Sequence, residues 1–423
     1  MNTPFFDIDP RLQTLSRRAM NKLKTVFEDI DNNTEYNQQK VLSGFIHHRI
    51  SESHFAPTTG YGYGDRGRDT LDELFAETMG AEDALVRHSI VSGTHAITIA
   101  LFGVLRPGDV LLAATGAPYD TLEKVIGIRD NPSGSLRDFG VEYECVELDE
   151  KGKPDIPAIV KALHEKVKVV HIQRSRGYNM RPSLTVDEIG KIITAVKAKR
   201  PDVIVFVDNC YGEFTEKTEP TAVGADLMAG SLIKNPGGGI AENGGYICGR
   251  ADLVEQCAYR MTTPGLGREV GASLGHNRSL YMGLFHAPHV VGEALKTAAY
   301  CSSLFDLLGF DVSPMPEEKR GDIIQVVRLG TPEGLIAFCQ GMQRGAPVDS
   351  FVVPEPWDMP GYENQVIMAA GAFTMGASIE LSADAPLREP YAAYMQGGLN
   401  FHSGKMGVLL AAQSMLEKGV LHI

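Results

Sequence analysis

The stretch Val203-Ile204-Val205-Phe206-Val207-Asp208-Asn209 most constrains the fold, because five apolar residues run unbroken and end on an aspartate. An apolar strand without alternation suits a parallel sheet covered on both faces. Four further segments read as short strands: Val110–Ala114, Glu142–Glu147, Val167–Ile172 and Gly245–Cys248. Amphipathic helical patterns fall among them at Thr94–Leu105, Asp120–Ile126, Pro157–His164 and Val186–Lys199. The alternation predicts an α/β domain whose mostly parallel sheet is covered by helices.

A chain of 423 residues is too long for one hydrophobic core. Residues 1–50 are polar and helix-prone, with a break read at Asp31-Asn32-Asn33, and form an N-terminal helical arm that reaches a partner subunit. Residues 51–290 form the large domain. Beyond them the texture changes: a helix over Val291–Leu308, a strand over Asp322–Leu329 and a helix over Pro332–Arg344. Strands are then expected at Ser350–Pro354, Gln365–Ala370 and Ser378–Leu381, followed by one long helix over Tyr391–Lys418. Residues 291–423 are therefore assigned to a smaller C-terminal α+β domain.

A net charge of −13 argues against nucleic-acid or anionic-membrane partners. No apolar run approaches the ~20 residues of a membrane span, and the first residues lack the basic and apolar regions of a secretory leader. The six cysteines are scattered without a Cys-x-x-Cys pair, which suits reduced thiols and a cytoplasmic protein. His47-His48 and His286-Ala287-Pro288-His289 read as structural, the latter because proline breaks helical spacing, so no metal site is expected. Gly62, Gly64 and Gly67 match a dinucleotide-loop spacing, but no strand precedes them, so that reading is rejected.

The chemistry resides in a carboxylate and an amine. Asp208 ends a buried strand, at the sheet edge where α/β folds bind ligands. Lys234 follows in Ser231-Leu232-Ile233-Lys234-Asn235, with no charged residue in Met228–Ile233, so its amine is expected to be partly desolvated and its pKa lowered. Pyridoxal 5'-phosphate (PLP) enzymes need this pair: the lysine forms an imine with the cofactor, and the carboxylate keeps the pyridine nitrogen protonated. Ser92-Gly93-Thr94 opens a helix and can cup a phosphate, or serve only as an N-cap. Tyr119 can stack on a cofactor ring or be a half-buried loop residue. Ser231 can add a hydroxyl to the phosphate. Tyr63 and Arg66 sit in a Gly-, Tyr- and Arg-rich loop suited to phosphate or to a subunit interface. For a substrate carboxylate, Arg174, Arg176 and Arg388 are the candidates, with Arg176 favoured by position.

These motifs, in this order, resemble the fold-type I PLP enzymes of cysteine and methionine metabolism. Leu71-Asp72-Glu73 through Met79-Gly80-Ala81-Glu82-Asp83-Ala84-Leu85 is similar to the family's "LEE…LEGAEAAL" helix, and Ser92-Gly93-Thr94 to its "SGM" turn. Pro118-Tyr119 is similar to the ring-stacking tyrosine, Val207-Asp208-Asn209 to "VDN", and Ser231-x-x-Lys234 to "SxTK". The segments "IQRSRGY", "KNPGGGIAENGGYICG" and "IELSADAPLREPYAAYMQGGLNF" resemble the methionine gamma-lyase-like, or aluminium-resistance, branch. The resemblance implies PLP, carbon–sulfur lysis of a small-molecule amino acid, and a homodimer or homotetramer with shared active sites closed by residues 55–68. It favours Arg388 for the substrate. Three places depart from the family: Glu380 stands where an arginine binds the carboxylate, Ile233 where a threonine precedes the lysine, and residues 61–68 do not align cleanly with the Tyr-x-Arg motif. Another PLP reaction (aldol cleavage, transamination or γ-replacement) and a non-catalytic PLP-fold protein stay open.

Overall fold

In the computed structural model residues 4–130, 132–359 and 364–423 are described; Met1–Thr3, where the leader reading begins, lie outside them. The helices and strands of the first part are α1 (Pro10–Lys22), α2 (Lys24–His47), α3 (Arg66–Met79), β1 (Asp83–Arg87), α4 (Gly93–Val104), β2 (Val110–Ala113), α5 (Asp120–Ile126), β3 (Glu142–Cys145), α6 (Ile156–Ala162), β4 (Val167–Gln173), α7 (Val186–Lys199), β5 (Ile204–Asp208), β6 (Leu227–Ser231), β7 (Gly245–Gly249) and α8 (Ala251–Met261). The second part holds α9 (Asn277–Leu307), β8 (Asp311–Ser313), β9 (Gln325–Arg328), α10 (Pro332–Arg344), β10 (Val366–Ala369), β11 (Ser382–Pro386), β12 (Ala392–Gln396) and α11 (Phe401–Glu417).

One compact unit comprises residues 37–286. Its seven-stranded sheet has the order β1-β7-β6-β5-β4-β2-β3. Strands β3, β2, β4, β5 and β6 are parallel, and β7 is antiparallel to both β6 and β1. Every residue of β5 is buried, which is why its sequence shows no alternation. Phe206 packs with Ile97, Leu101, Val169, Ala229 and Ile247; burying such a ring contributes about 1.5–3 kcal/mol. Local chemistry sets the helix ends. Ser92 accepts the His95 amide at the start of α4, Thr185 and Glu188 form a capping box on α7, and Gly80 closes α3 at φ 65°.

The other unit joins residues 1–36 to 287–423. Its sheet, β10-β11-β12-β9-β8, is antiparallel throughout. The N-terminal segment is not a free-standing arm: Ile8, Leu12, Ala19 and Leu23 lie in the same core as Phe305, Phe338, Met395 and Leu409. The first helix breaks at Leu23, not at Asp31-Asn32-Asn33, which lies inside α2.

Four more expectations are corrected. The long final helix splits into β12 and α11, because Gly397 and Gly398 turn the chain at φ 76° and 129°. A Cβ at Gly397 would lie 2.1 Å from the Glu380 carbonyl oxygen, so only glycine permits that turn. The strand expected at Ser378–Leu381 forms instead at β11, and Ser350–Pro354 is not a strand. Helix α9 continues through Pro288; the apolar stripe Leu284, Ala287 and Val291 is buried, which offsets the lost backbone bond.

Candidate active site

The carboxyl edge of the parallel strands gathers the residues singled out by their chemistry. Asp208, last residue of β5, is buried, and its Oδ1 accepts the Cys210 amide at 3.1 Å. Lys234 follows β6, and its electrostatic neighbours are Cys210, Tyr211, Asp208 and Tyr119. The two groups thus lie close enough to interact at one edge of the sheet, and the two charges oppose the cost of burying each. Burial pushes the Asp208 carboxyl up, with Lys234 pulling the other way. Burial also works against the Lys234 ammonium, but Cys210, Tyr211 and Asp208 outweigh it and the net direction is up. The expected lowering of the lysine pKa is therefore reversed in the unliganded protein.

The phosphate-cup candidates surround these two groups. Gly93 is the first residue of α4, whose leading N–H groups have no helical acceptor. A Cβ at Gly93 would come 3.0 Å from Cys210 Sγ and 3.3 Å from Ser231 Cβ, so helix start, strand β6 and the 208–210 turn converge there. The Tyr119 and Thr94 hydroxyls share a hydrogen bond of 3.0 Å, and the Tyr119 amide donates to Gln173 Oε1 at 3.2 Å. Tyr119 also interacts with Asp208 and Lys234. Thus Ser92, Gly93, Thr94, Tyr119, Asp208, Ser231 and Lys234 form one cluster. Amide and hydroxyl donors, an aromatic face, a buried acid and an amine fit PLP in kind, and the missing Cβ at Gly93 lets the start of α4 sit against Cys210 and Ser231.

Other sequence candidates lie elsewhere. Tyr63 is exposed and rests against Tyr61, with ring centroids 5.6 Å apart. Arg66 is exposed and donates to Ser53 Oγ at 3.2 Å. The residue that holds their loop is Arg68, which donates to the carbonyls of Gly62 (2.9 Å) and Gly271 (3.0 Å). Arg388 is exposed in the other unit. Glu380 in that unit accepts the amides of Phe373 (2.8 Å) and Thr374 (2.9 Å), so its carboxylate is committed to a loop.

Arg176 is buried, and Arg174 is consumed by a network behind the site. Arg174 donates to Asn209 Oδ1 (2.8 Å), Glu219 Oε2 (3.1 Å), Thr215 Oγ1 (3.1 Å) and Glu216 Oε1 (3.0 Å). Asn209 is the residue next to Asp208, so the network fixes the turn that carries the acid. Next to it, the Tyr246 hydroxyl donates to Glu213 Oε1 at 2.7 Å, while Glu213 Oε2 is buried without a partner. Burial pushes Glu213 up to about 8.

Sequence reasoning missed Tyr211, whose ring centroid is 3.9 Å from Lys234 Nζ. It also missed Arg181, which donates to the Gln173 (2.8 Å) and Pro182 (3.1 Å) carbonyls, acts on Asp208, and lines a cavity of about 450 Å³ with Lys151 and Asn179. Tyr211 adjoins the Asp208-Asn209 motif and could have been marked as an aromatic beside the acid. Arg181 carries no comparable signal.

A mostly parallel sheet of this kind, with a separate antiparallel sheet, defines fold type I of the PLP-dependent enzymes. The methionine gamma-lyase family model matches residues 12–416, and the chain belongs to that family. Protein YnbB of Bacillus subtilis (strain 168) is 50% identical over 420 residues, covering 98% of this chain and 100% of its own. A crystal structure of a carbon-sulfur lyase involved in aluminum resistance from Clostridium novyi NT is 53% identical, with a TM-score of 0.93 over 96% of each chain. L-methionine gamma-lyase of Pseudomonas putida is 28% identical over 228 residues, 53% of this chain and 50% of its own.

Proposed function

We propose that the protein is a PLP-dependent carbon–sulfur lyase acting on a sulfur-containing amino acid of the cystathionine, methionine or cysteine type. The observation that carries this reading is the cluster of Asp208, Lys234 and Tyr119 at the carboxyl edge of the sheet, in a chain of the methionine gamma-lyase family. Lys234 would hold the cofactor through its amine, Asp208 its ring nitrogen, and Ser92, Gly93, Thr94 and Ser231 its phosphate. The cofactor, when bound, supplies an electron sink that weakens the bonds at the substrate Cα. Asp208, as the anion, keeps that sink cationic. Lys234 Nζ removes the Cα proton as general base, and the Tyr211 face accommodates the ammonium so formed. Tyr119 would stack on the cofactor ring and exclude water from it. A thiol leaves from Cβ or Cγ, and hydrolysis gives ammonia and a keto acid.

For the substrate carboxylate, Arg176 and Arg388 remain the candidates. Tyr63 and Arg66 are exposed on their own chain, which supports a role across a subunit boundary in a homodimer or homotetramer. No helix among the described residues is long and apolar enough to cross a membrane, which is compatible with the cytoplasmic location proposed here.

One observation favours a second reading, another PLP reaction on an amino acid. Glu380 occupies the family's arginine position and is engaged by backbone amides, so substrate is oriented differently here. The test gives purified, PLP-loaded protein cystathionine, cysteine and methionine, and follows thiol, keto acid and visible absorbance. Release of thiol with keto acid supports lysis. Spectral changes without thiol release favour the second reading, and no change with any of them removes both.

A further inference from the structure

Helix α2 ends at His47, and the chain turns at Arg49 with φ 50°. Beside this end runs α3, carrying Glu73 and Glu77 one turn apart. The two helices approach closely because Gly44 has no side chain; a Cβ there would lie 2.7 Å from Leu74 Cδ1. This approach turns both histidines onto one carboxylate. His47 Nδ1 lies 2.7 Å, and His48 Nε2 2.9 Å, from the same oxygen, Glu77 Oε2. The two rings are tilted with centroids 5.0 Å apart. One donor atom from each of the three residues falls within 4.8 Å of the others, and no other such group occurs among the described residues.

We propose that His47, His48 and Glu77 bind one divalent transition-metal cation of the zinc type, which clips α2 to α3. The donor set is two imidazoles and one carboxylate, the chemistry that zinc accepts in three-ligand sites with water in the fourth position. Tetrahedral zinc with bonds of 2.0–2.1 Å holds its ligand atoms about 3.3 Å apart. The two histidine–carboxylate distances need to open by about half an ångström. His47, 72% exposed, and Glu77, 39% exposed, are free to make that adjustment, while His48, 15% exposed, is the anchor. A second carboxylate stands behind the anchor: Glu73 Oε2 is 3.6 Å from His48 Nδ1, the nitrogen that would not face the ion. A carboxylate that closes to hydrogen-bond distance there, as metal binding would favour, fixes the tautomer and ring orientation of a ligating histidine. The histidine pair, read from sequence as structural only, thus has the partners of a metal site. The site is independent of the proposed lyase activity and lies on helices that do not supply Asp208 or Lys234.

The test uses tag-free, PLP-loaded protein dialysed against a chelator and titrated with zinc chloride in a calorimeter. One equivalent per chain is expected. His47→Ala and Glu77→Gln should each weaken uptake by about a hundredfold or abolish it, and Glu73→Gln should weaken it about tenfold. Because these side chains are exposed, the variants should keep the wild-type circular dichroism and, without zinc, a melting temperature close to wild type. Two results overturn the proposal: no zinc taken up by the wild type, or wild-type stoichiometry and affinity retained in both His47→Ala and Glu77→Gln, which would place the ion elsewhere.

Discussion

The Lys234 ammonium lies over the Tyr211 ring, 3.9 Å from its centroid, and Tyr211 reaches that position only through a left-handed backbone at φ 72°. A non-glycine residue rarely adopts that conformation, which costs of order 1–3 kcal/mol. The turn is held from behind by Arg174 and Asn209, and by Asn235, whose amide donates to the Tyr211 carbonyl at 3.0 Å. The ring favours the charged lysine, so it opposes proton loss. Replacing Tyr211 by leucine removes ring and hydroxyl together and should lower the Lys234 pKa more than Tyr211→Phe, which keeps the ring. The pH dependence of Lys234 labelling by an amine-reactive reagent in cofactor-stripped protein, read by mass spectrometry, checks this. Equal behaviour of the two variants would refute the ring's role.

Lys234→Ala removes both the covalent anchor and the base. Turnover should fall by about 10²–10⁴ or more, and borohydride reduction should no longer fix a pyridoxyl group on the chain. Asp208→Asn keeps the shape and removes the charge. It should retain PLP weakly and lose most of the rate, as measured by thiol release and cofactor titration.

The Gly93 cradle makes a separate prediction. In Gly93→Ala the new methyl meets Cys210 Sγ at 3.0 Å and Ser231 Cβ at 3.3 Å, so it pushes the start of α4 away from the turn beside Asp208 and from β6. PLP affinity should drop at least about tenfold, a cost near 1.4 kcal/mol, and the crowding should also lower the melting temperature of cofactor-free protein. Fluorescence quenching during PLP titration measures the first, and thermal melts the second.

Glu213 sets a pH dependence of stability. Its neighbours are Tyr246, which donates to it, Glu219, which repels its charge, and Lys234, which attracts it; burial dominates and raises it from 4.5 to about 8. The folded chain therefore binds the Glu213 proton more tightly than the unfolded chain does. The stabilisation is complete below about pH 4.5, falls as pH rises through about 8, and stays lost above. Glu213→Gln keeps a neutral group of the same shape. Its melting temperature should fall less than that of wild type between pH 5 and 9, which differential scanning calorimetry would show.

The parallel core was readable because β5 is covered on both faces, so its apolar run had one reasonable fate. Strand β6 was legible only as a further strand somewhere between Asp208 and Lys234, since Met228-Ala229-Gly230 lacks β-branched residues; its place is set by pairing with β5 and β7. The last helix was overextended because Ala392–Met395 is as apolar as the helix that follows, and only the Gly397-Gly398 turn divides them. That Asp208 and Lys234 lie close together was legible because strand ends and isolated charges leave a local mark. Tyr211 and Arg181 were not, because their roles depend on backbone geometry and loop closure that no short pattern encodes.

The Arg174 knot has a consequence for how such a protein can change its diet. With the turn that carries Asp208 fixed by a buried guanidinium that has little room to shift, mutations there disturb the acid before they alter what is bound. New substrate preferences are therefore more easily acquired at residues outside this network, which can be exchanged without disturbing the acid.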